Sequence, residues 1–298
     1  MSFNTMEDEP HAPPIQIINK MDQEPIPPWV FYYTNRIYHR PGVPDPDIVN
    51  LIGCNCVGKC DPKSEACACV KRQRDLIPFP AENMEAYNSG FLYDKQKRLK
   101  HRDYPIVECN ALCGCYAECM NRVVQHGRTV AVTIQKTKKK GWGVFAGSKK
   151  IPSGTFLGIY SGELLNVEES NERGKYYNSW GKTYLFDIDF YFIPNKDHHG
   201  DVVVQYTMDA YHAGNFTRFL NHSCEPNSKI FGCFVNEANL GKPLLAVFAT
   251  RDIEPNKEIC VSYVGDEDND PGDAAQKDGA VYIPCQCDAP SCSGRMFG

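Results

Sequence analysis

Cysteine is the residue whose number and spacing most directly suggest chemistry, because 15 cysteines are found among 298 residues. Nine of them form two blocks, C-x-C-x3-C-x6-C-x-C and C-x3-C-x-C-x3-C, which are Cys54, Cys56, Cys60, Cys67 and Cys69, and Cys109, Cys113, Cys115 and Cys119. Closely spaced thiolates can share a metal, and zinc takes four ligands with thiolate as its soft donor. Nine thiolates complete three tetrahedral zinc ions if three of them each bridge two ions. The spacing therefore predicts a three-zinc cluster.

A disulfide framework and an iron–sulfur site are the alternative interpretations of these blocks. The first residues, MSFNTMEDEPHAPP, lack the basic and apolar regions of a secretory signal. We therefore expect a reducing compartment, where cysteine patterns usually bind metal. The odd cysteine count also argues against complete pairing. A zinc site closed by four protein ligands is structural, so removing the metal should unfold this segment.

A further group lies near the C-terminus with the spacing C-x-C-x4-C, at Cys285, Cys287 and Cys292. A tetrahedral site needs a fourth ligand, for which the candidates are Cys224, Cys233 and Cys260. The last two lie in apolar runs, where buried free thiols are common, whereas Cys224 lies in the polar loop 221–227. We expect Cys224 to complete the site, so that the tail folds back over this loop.

The composition limits the class of protein. Hydrophobic residues make up 42% of the chain and charged residues 23%, which excludes a disordered or fibrous protein. No stretch approaches the roughly 18 apolar residues of a membrane span. The net charge of −5 argues against binding driven by nucleic-acid phosphates and favours a basic partner.

The elements that would position these side chains are mostly β. Short apolar runs separated by Gly, Pro and Asn indicate strands at 130–134, 143–146, 156–161, 184–188, 202–208, 244–249 and 258–263. We expect one helix at 167–173, capped by Asn166, and a helical turn at 216–220. Residues 54–119 have few apolar runs, so the cysteines should hold them together. Residues 1–50 should form a loose extension, with a strand or docking segment at 29–33.

Three motifs occur in the β-rich region: Lys140-Gly141-Trp142-Gly143, Arg218-Phe219-Leu220-Asn221-His222-Ser223-Cys224, and Tyr263 at the end of the last predicted strand. In this order, and between two groups of cysteines, they resemble the SET-domain histone lysine methyltransferases of the Su(var)3-9 branch. The nine-cysteine block resembles the pre-SET module and the tail resembles the post-SET module. The resemblance divides the chain into an N-terminal extension (1–50), a pre-SET module (51–122), a SET domain (123–264), an acidic linker (265–281) and a post-SET module (282–298).

The resemblance implies a SET fold of small curved sheets with a threaded, pseudoknot-like C-terminal segment, flanked by zinc-stabilised modules. It implies methyl transfer from S-adenosylmethionine to a histone lysine, with three zinc ions in the pre-SET module and one in the post-SET module. It places around the cofactor Lys140, Gly141, Trp142, Tyr184, Arg218, Phe219, Asn221, His222 and Phe297. It implies a catalytic role for Tyr263 as the first choice and for Tyr160 as the second.

Substrate recognition is predicted from fewer residues. An extended basic peptide, such as the histone H3 tail methylated at lysine 9, would add a strand beside 186–189. There Asp187 or Asp189 would pair with an arginine next to the target lysine, unless this is simply a solvated acidic face. Family members usually have Phe or Tyr two residues before the catalytic tyrosine, whereas this chain has Val261, followed by Ser262 in place of Asp. The smaller side chain predicts a roomier channel and trimethylation.

At the level of the whole protein, the resemblance implies a monomeric nuclear enzyme that acts on nucleosomes in heterochromatin formation and gene silencing. DNA contact through the basic run 136–140 would be secondary at most, because that run can equally be a solvated turn. Two other classes of function remain: a SET-like scaffold that binds a histone tail without turnover, and a zinc-dependent DNA-binding protein. The acidic charge disfavours the last.

Overall fold

The computed structural model describes residues 9–28, 30–179, 183–263 and 282–297. Its strands, in chain order, are β1 Gln16–Ile18, β2 Tyr32–Tyr33, β3 Tyr38–His39, β4 Ile106–Val107, β5 Val132–Lys136, β6 Trp142–Ala146, β7 Phe156–Ile159, β8 Glu163–Asn166, β9 Leu185–Asp187, β10 Tyr206–Asp209, β11 Ala213–Gly214, β12 Asn221–His222, β13 Ser228–Phe234, β14 Leu244–Ala249, β15 Glu258–Val261, β16 Tyr282–Pro284 and β17 Arg295–Phe297. Its α-helices are α1 Ala68–Asp75, α2 Met84–Ser89 and α3 Val167–Ser179, and 3₁₀ turns lie at Val124–His126 and Phe216–Phe219. The predicted mostly β architecture is confirmed.

Each predicted strand segment contains a strand, with its ends moved by a few residues. The expected helix starts at Val167 as predicted but continues to Ser179. The Asn166 side chain accepts a hydrogen bond from the Glu169 backbone N–H at 2.9 Å, which is the expected cap. Within the described ranges, no helix combines the length and apolar character needed to cross a membrane.

The largest sheet brings distant parts of the chain together in the order β1-β5-β6-β15-β12. Strand β15 lies between β6, to which it is antiparallel, and β12, to which it is parallel. Two four-stranded sheets, β3-β8-β10-β9 and β4-β13-β14-β7, complete the body. Because β15 is inserted between earlier strands, Tyr263 just beyond its end lies next to the β12 segment.

Residues 9–28 and 30–46, here called the N-terminal strap, are attached more firmly than the expected loose extension. Strand β1 pairs in parallel with β5, β2 with β11, and β3 with β8. The strap therefore adds a strand to two of these sheets and forms a separate two-stranded sheet with β11. Of the segment predicted at 29–33, Tyr32–Tyr33 forms β2. Trp29 and the whole of the acidic linker predicted at 265–281 lie outside the described residues.

The nine-cysteine region contains two cores. The cysteines of both blocks pack together with Val70 and Phe91. In addition, Leu92, Leu99 and Ile106 join an apolar cluster with Phe248 of β14. The expectation that cysteines alone hold this region was therefore wrong, because single apolar residues without a run also build a core.

Candidate active site and metal centres

The two cysteine blocks converge on one cluster. Three sets of four sulfurs, each with all atoms within 4.8 Å of one another, are Cys54, Cys60, Cys109 and Cys115; Cys54, Cys56, Cys60 and Cys67; and Cys54, Cys69, Cys109 and Cys113. The separation of the Sγ atoms is 3.5 Å for Cys54–Cys60 and 4.0 Å for Cys109–Cys119. Four sulfurs placed about 2.3 Å from a tetrahedral zinc lie roughly 3.8 Å apart, whereas a disulfide is about 2.05 Å long. The cluster therefore fits zinc, and its sulfurs lie close enough together for some of them to contact more than one ion.

Two buried polar side chains donate hydrogen bonds to this cluster. Asn121 Nδ2 lies 3.6 Å from the Sγ of Cys109, and Arg122 Nη2 lies 3.6 Å from the Sγ of Cys115. Such donors offset the charge of bridging thiolates and fix their orientation. Sequence reasoning missed both residues, although polar side chains two and three positions after Cys119 were a usable signal.

The tail cysteines meet the polar loop as expected. The Sγ atoms of Cys224, Cys285, Cys287 and Cys292 lie within 4.8 Å of one another, and Cys224–Cys285 is 3.8 Å. Cys233 and Cys260 are buried elsewhere, and burial raises the pKa of both thiols. The four sulfurs form a second donor set suited to tetrahedral zinc.

The tail is also attached by polar contacts. Lys139 Nζ lies 2.7 Å from Asp288 Oδ1, and Ser291 Oγ donates to Glu225 Oε1 at 2.7 Å. Two other lysines of the run 136–140 form intramolecular ion pairs, Lys136 with Glu24 and Asp22, and Lys140 with Glu258. Much of the basic run is thus used within the molecule.

The two candidate catalytic tyrosines come together from opposite ends of the β-rich region. Tyr263 Oη donates to the Leu220 carbonyl at 2.6 Å, and Tyr160 Oη donates to the Tyr184 carbonyl at 2.8 Å. Desolvation of the hydroxyls, reinforced by their mutual proximity, raises the pKa of Tyr160. Desolvation also raises the pKa of Tyr263, although 51% of that residue is exposed. Both hydroxyls therefore remain protonated at neutral pH.

A carboxylate that the sequence did not reveal connects the first two motifs. Glu258 accepts from Lys140 Nζ at 2.6 Å and from Asn221 Nδ2 at 2.9 Å. Asn221 also donates to the Trp142 carbonyl at 3.2 Å. A Cβ atom at Gly143 would lie 2.7 Å from Glu258 Oε1, so a larger residue there would displace the Glu258 carboxylate. Gly141 has φ +70°, so its requirement for glycine is conformational.

The buried indole of Trp142 provides a test of whether a cofactor fits this region. Its Nε1 has no hydrogen-bond partner among the described residues. A buried N–H without an acceptor is unusual in a native protein, so an acceptor on a bound molecule would account for it. The side chain of Phe297, another aromatic residue expected at the cofactor, lies outside the described part of the chain.

His222 connects the catalytic segment to the tail site. Its Nδ1 accepts from the Tyr263 backbone N–H at 3.1 Å, and its Nε2 lies 3.4 Å from Cys224 Sγ. Burial and the neighbouring Lys140 lower the pKa of His222, which keeps the imidazole neutral. The neutral ring thus links Tyr263 to the proposed metal ligand Cys224.

Arg218 is buried with aromatic rings around it. Its guanidinium carbon is 4.0 Å from the ring centroid of Phe31 and 4.3 Å from that of Tyr184, and Phe219 is the third ring. Its Nε donates to the Ala210 carbonyl at 2.8 Å. Burial lowers the pKa of Arg218, opposed by the neighbouring tyrosines and an aspartate.

Strand β9 forms one edge of the sheet β3-β8-β10-β9, next to Tyr184. Asp187 is exposed and accepts from Thr207 Oγ1 at 2.6 Å, and Asp189 is also exposed. Val261 is buried and pairs in register with His222. Val261 thus lies two residues before Tyr263, and among the described residues β9 pairs with β10 alone, which leaves its other edge free for an added strand.

Comparison with known proteins connects this arrangement to a family. The SET domain profile matches residues 141–264, and the Pre-SET motif profile matches residues 7–122. A Schizosaccharomyces pombe protein named histone-lysine N-methyltransferase, H3 lysine-9 specific, is 35% identical over 97% of this chain and 56% of its own length. This chain belongs to the SET-domain family. The predicted resemblance to the Su(var)3-9 branch is confirmed by relatives that carry that name.

Solved structures of the family agree with the fold. KRYPTONITE, in complex with mCHH DNA, H3(1-15) peptide and SAH, matches 94% of this SET-family chain and 51% of its own chain, with a TM-score of 0.71 and 27% identity. A structure from work on the product specificity of histone lysine methyltransferases covers 83% of this chain and 93% of its own, with a TM-score of 0.70 and 30% identity. The chain spans 19% to 64% of the length of the curated relatives it matches.

Proposed function

We propose that this SET-family chain transfers methyl groups from S-adenosylmethionine to the ε-amine of lysine 9 in the histone H3 tail. The observation that carries the proposal is the pair of tyrosine hydroxyls, Tyr160 and Tyr263, each fixed on a backbone carbonyl beside the Arg218–His222 motif. The name of the S. pombe relative and the H3 peptide and SAH in the KRYPTONITE complex support this choice.

The chemical requirement is a neutral amine held in line with the methyl donor. A lysine with a pKa of about 10.4 costs roughly 3 kcal/mol to neutralise near pH 8. Burial and a nearby positive charge both reduce that cost. Bound S-adenosylmethionine would supply an electrophilic methyl group on a positively charged sulfonium.

The tyrosines orient the amine without adding charge. Each hydroxyl donates a hydrogen bond to a carbonyl, which leaves the lone pairs of the hydroxyl oxygen free to accept a hydrogen bond from an amine N–H. The amine lone pair is then free to point at the methyl group. Because Tyr263 and Tyr160 have raised pKa values, neither becomes an anion that would hold the lysine as ammonium. Positioning and exclusion of water would supply most of the rate.

The roles of the other site residues are part of the same proposal. The cofactor would be bound by the side chains and backbone of Lys140, Gly141, Trp142, Tyr184, Arg218, Phe219, Asn221, His222 and Phe297. Three zinc ions would be held by the nine-cysteine cluster, and a fourth by Cys224 with the three tail cysteines. These metals are structural, because four thiolates leave zinc no open position.

The peptide would add a strand along the open edge of β9, where backbone hydrogen bonds supply affinity and side chains supply selectivity. Of the two acids there, Asp189 suits an arginine beside the target lysine, because Asp187 already accepts from Thr207. We also propose that the chain consists of the N-terminal extension, pre-SET module, SET domain, acidic linker and post-SET module. The protein would act on nucleosomes in nuclear chromatin as a monomer, and its contact with DNA would be secondary at most.

The test is transfer of a radiolabelled methyl group to an array of histone-tail peptides. We expect labelling of the H3 peptide that contains lysine 9 and none when that lysine is replaced by alanine. Tyr263→Phe should lower the rate about 100-fold through loss of positioning. Tyr116→Phe, on an exposed tyrosine, should leave it unchanged. A wild-type protein that binds the peptide without labelling it would instead be a SET-like scaffold that binds a histone tail without turnover.

A further inference from the structure

We infer that Phe31 of the N-terminal strap is a positioning residue for the active site, because its ring holds the buried guanidinium of Arg218 in place. The inference rests on the proposed function for its effect on catalysis. The contact itself, 4.0 Å from the guanidinium carbon to the Phe31 ring centroid, is the shortest cation–ring contact among the described residues.

The strap fixes Phe31 through its backbone. Tyr32 N–H donates to the His212 carbonyl at 2.8 Å, and Thr34 N–H donates to the Gly214 carbonyl at 2.8 Å. Because side chains alternate along an extended strand, Tyr32 points outward while its neighbours point inward. Phe31 is 6% exposed, and its ring also packs edge-on against Phe219 at 5.9 Å between centroids. The ring therefore has little freedom to leave Arg218.

The guanidinium depends on such rings for its stabilisation. It donates hydrogen bonds to two neutral acceptors, the carbonyls of Ala210 and Tyr211, and the Tyr184 side chain also interacts with it. Ion pairs within the described residues include none to Arg218, and Asp209 acts on it only from a distance. A cation removed from water without a contacting carboxylate gains most from a π face. Phe31 and Tyr184 supply two such faces.

Arg218 in turn touches the catalytic machinery. Its guanidinium contacts the Tyr184 ring, and the Tyr184 carbonyl accepts the hydrogen bond that orients the Tyr160 hydroxyl. A shift of Arg218 would therefore move the carbonyl that fixes one of the two catalytic hydroxyls. A segment far from the motifs in sequence thus contributes to the geometry of the reacting amine.

The experiment compares two substitutions at Phe31 in the full chain. Phe31→Leu keeps an apolar side chain but removes the π face, and Phe31→Tyr keeps the face. Phe156→Leu is the matched control, since Phe156 is 5% exposed, close to the value for Phe31, and lies in a different core cluster from Phe31. The first readout is the ¹⁵Nε–H resonance of Arg218, identified by its loss in Arg218→Lys. The second is kcat on the H3 peptide with saturating cofactor.

We expect Phe31→Leu to shift the Arg218 resonance, to speed its hydrogen exchange at least tenfold and to lower kcat about tenfold. Phe31→Tyr should retain the wild-type Arg218 resonance, exchange rate and kcat. Phe156→Leu should affect thermal stability alone. An unshifted Arg218 resonance in Phe31→Leu, or equal losses in Phe31→Leu and Phe31→Tyr, would overturn the inference. If the wild type transfers no methyl group, the proposed function fails, and the resonance and its exchange rate still decide whether Phe31 positions Arg218.

Discussion

Val261 is the residue through which this chain departs most clearly from its family at the proposed lysine channel. It is 5% exposed and lies two residues before Tyr263, in register with His222. A valine leaves more space than the usual Phe or Tyr and offers no hydroxyl to hold a water or the amine. We therefore expect this position to set the space available to a methylated amine.

We expect the wild type to convert the H3 peptide to the trimethyl form and Val261→Tyr to stop at the monomethyl form. The larger ring and its hydroxyl would occupy the volume that added methyl groups need. Mass spectrometry of the peptide over a time course measures the product. Addition of the first methyl group serves as the internal control, because its rate should change little. Wild-type protein that stopped at monomethyl-lysine would contradict the expectation.

Glu258 is a second residue whose role is local and testable. It connects Lys140 to Asn221, two residues proposed to bind the cofactor. Glu258→Gln removes the charge that pairs with Lys140, and hydrogen bonds to charged groups contribute about 1.5–3 kcal/mol. We expect the KM for S-adenosylmethionine to rise about tenfold or more with little change in kcat. Glu254→Gln, at an exposed carboxylate paired with Lys150, should leave KM unchanged in the same assay.

At the scale of elements, the decisive feature is that β12, β15 and the tail cysteines meet at one place. His222 of β12 accepts from Tyr263 beyond β15 and faces Cys224, which belongs to the tail donor set. A change in the metal site can therefore reach the tyrosine through a single imidazole.

We expect Cys224→Ser to lower bound zinc from four ions per chain to three and to abolish methyl transfer, while the nine-cysteine cluster keeps its metal. Serine is a poor zinc ligand and cannot replace the soft thiolate. Elemental analysis of the purified protein, together with the methyl-transfer assay, measures both effects. Cys233→Ala, at a buried thiol outside the donor sets, should keep all four ions. Full activity with three bound zinc ions would show that methyl transfer does not require the tail site.

The sequence predicted the strands and the cysteine sets better than it predicted the long-range contacts that join them to the rest of the chain. Short apolar runs identify β5, β7 and β14 because local patterning determines them. The short strand β2 and the link made by Glu258 depend on partners distant in the chain. No local periodicity marks a two-residue strand whose partner lies 181 positions away, or a surface-type carboxylate that becomes half-buried by packing. Such residues become visible only when the fold brings the segments together.

At the scale of the whole molecule, the charge distribution favours a basic protein substrate over nucleic acid. The net charge is −5, and the exposed acids Asp187 and Asp189 lie at the open edge of β9. Three lysines of the basic run are occupied by carboxylates. We therefore expect a basic peptide to be attracted toward this edge, and a DNA phosphate backbone to find few free lysines in the basic run.

This charge distribution predicts that kcat/KM for the H3 peptide falls about tenfold as monovalent salt rises from roughly 50 to 300 mM, because salt screens long-range attraction. Asp189→Asn should flatten the salt dependence. Glu82→Gln, which changes the net charge equally but lies between α1 and α2, should retain it. Added duplex DNA should not inhibit methylation of the peptide at low salt. Inhibition by DNA, or a rate independent of salt, would mean that local contacts rather than the overall field govern the encounter.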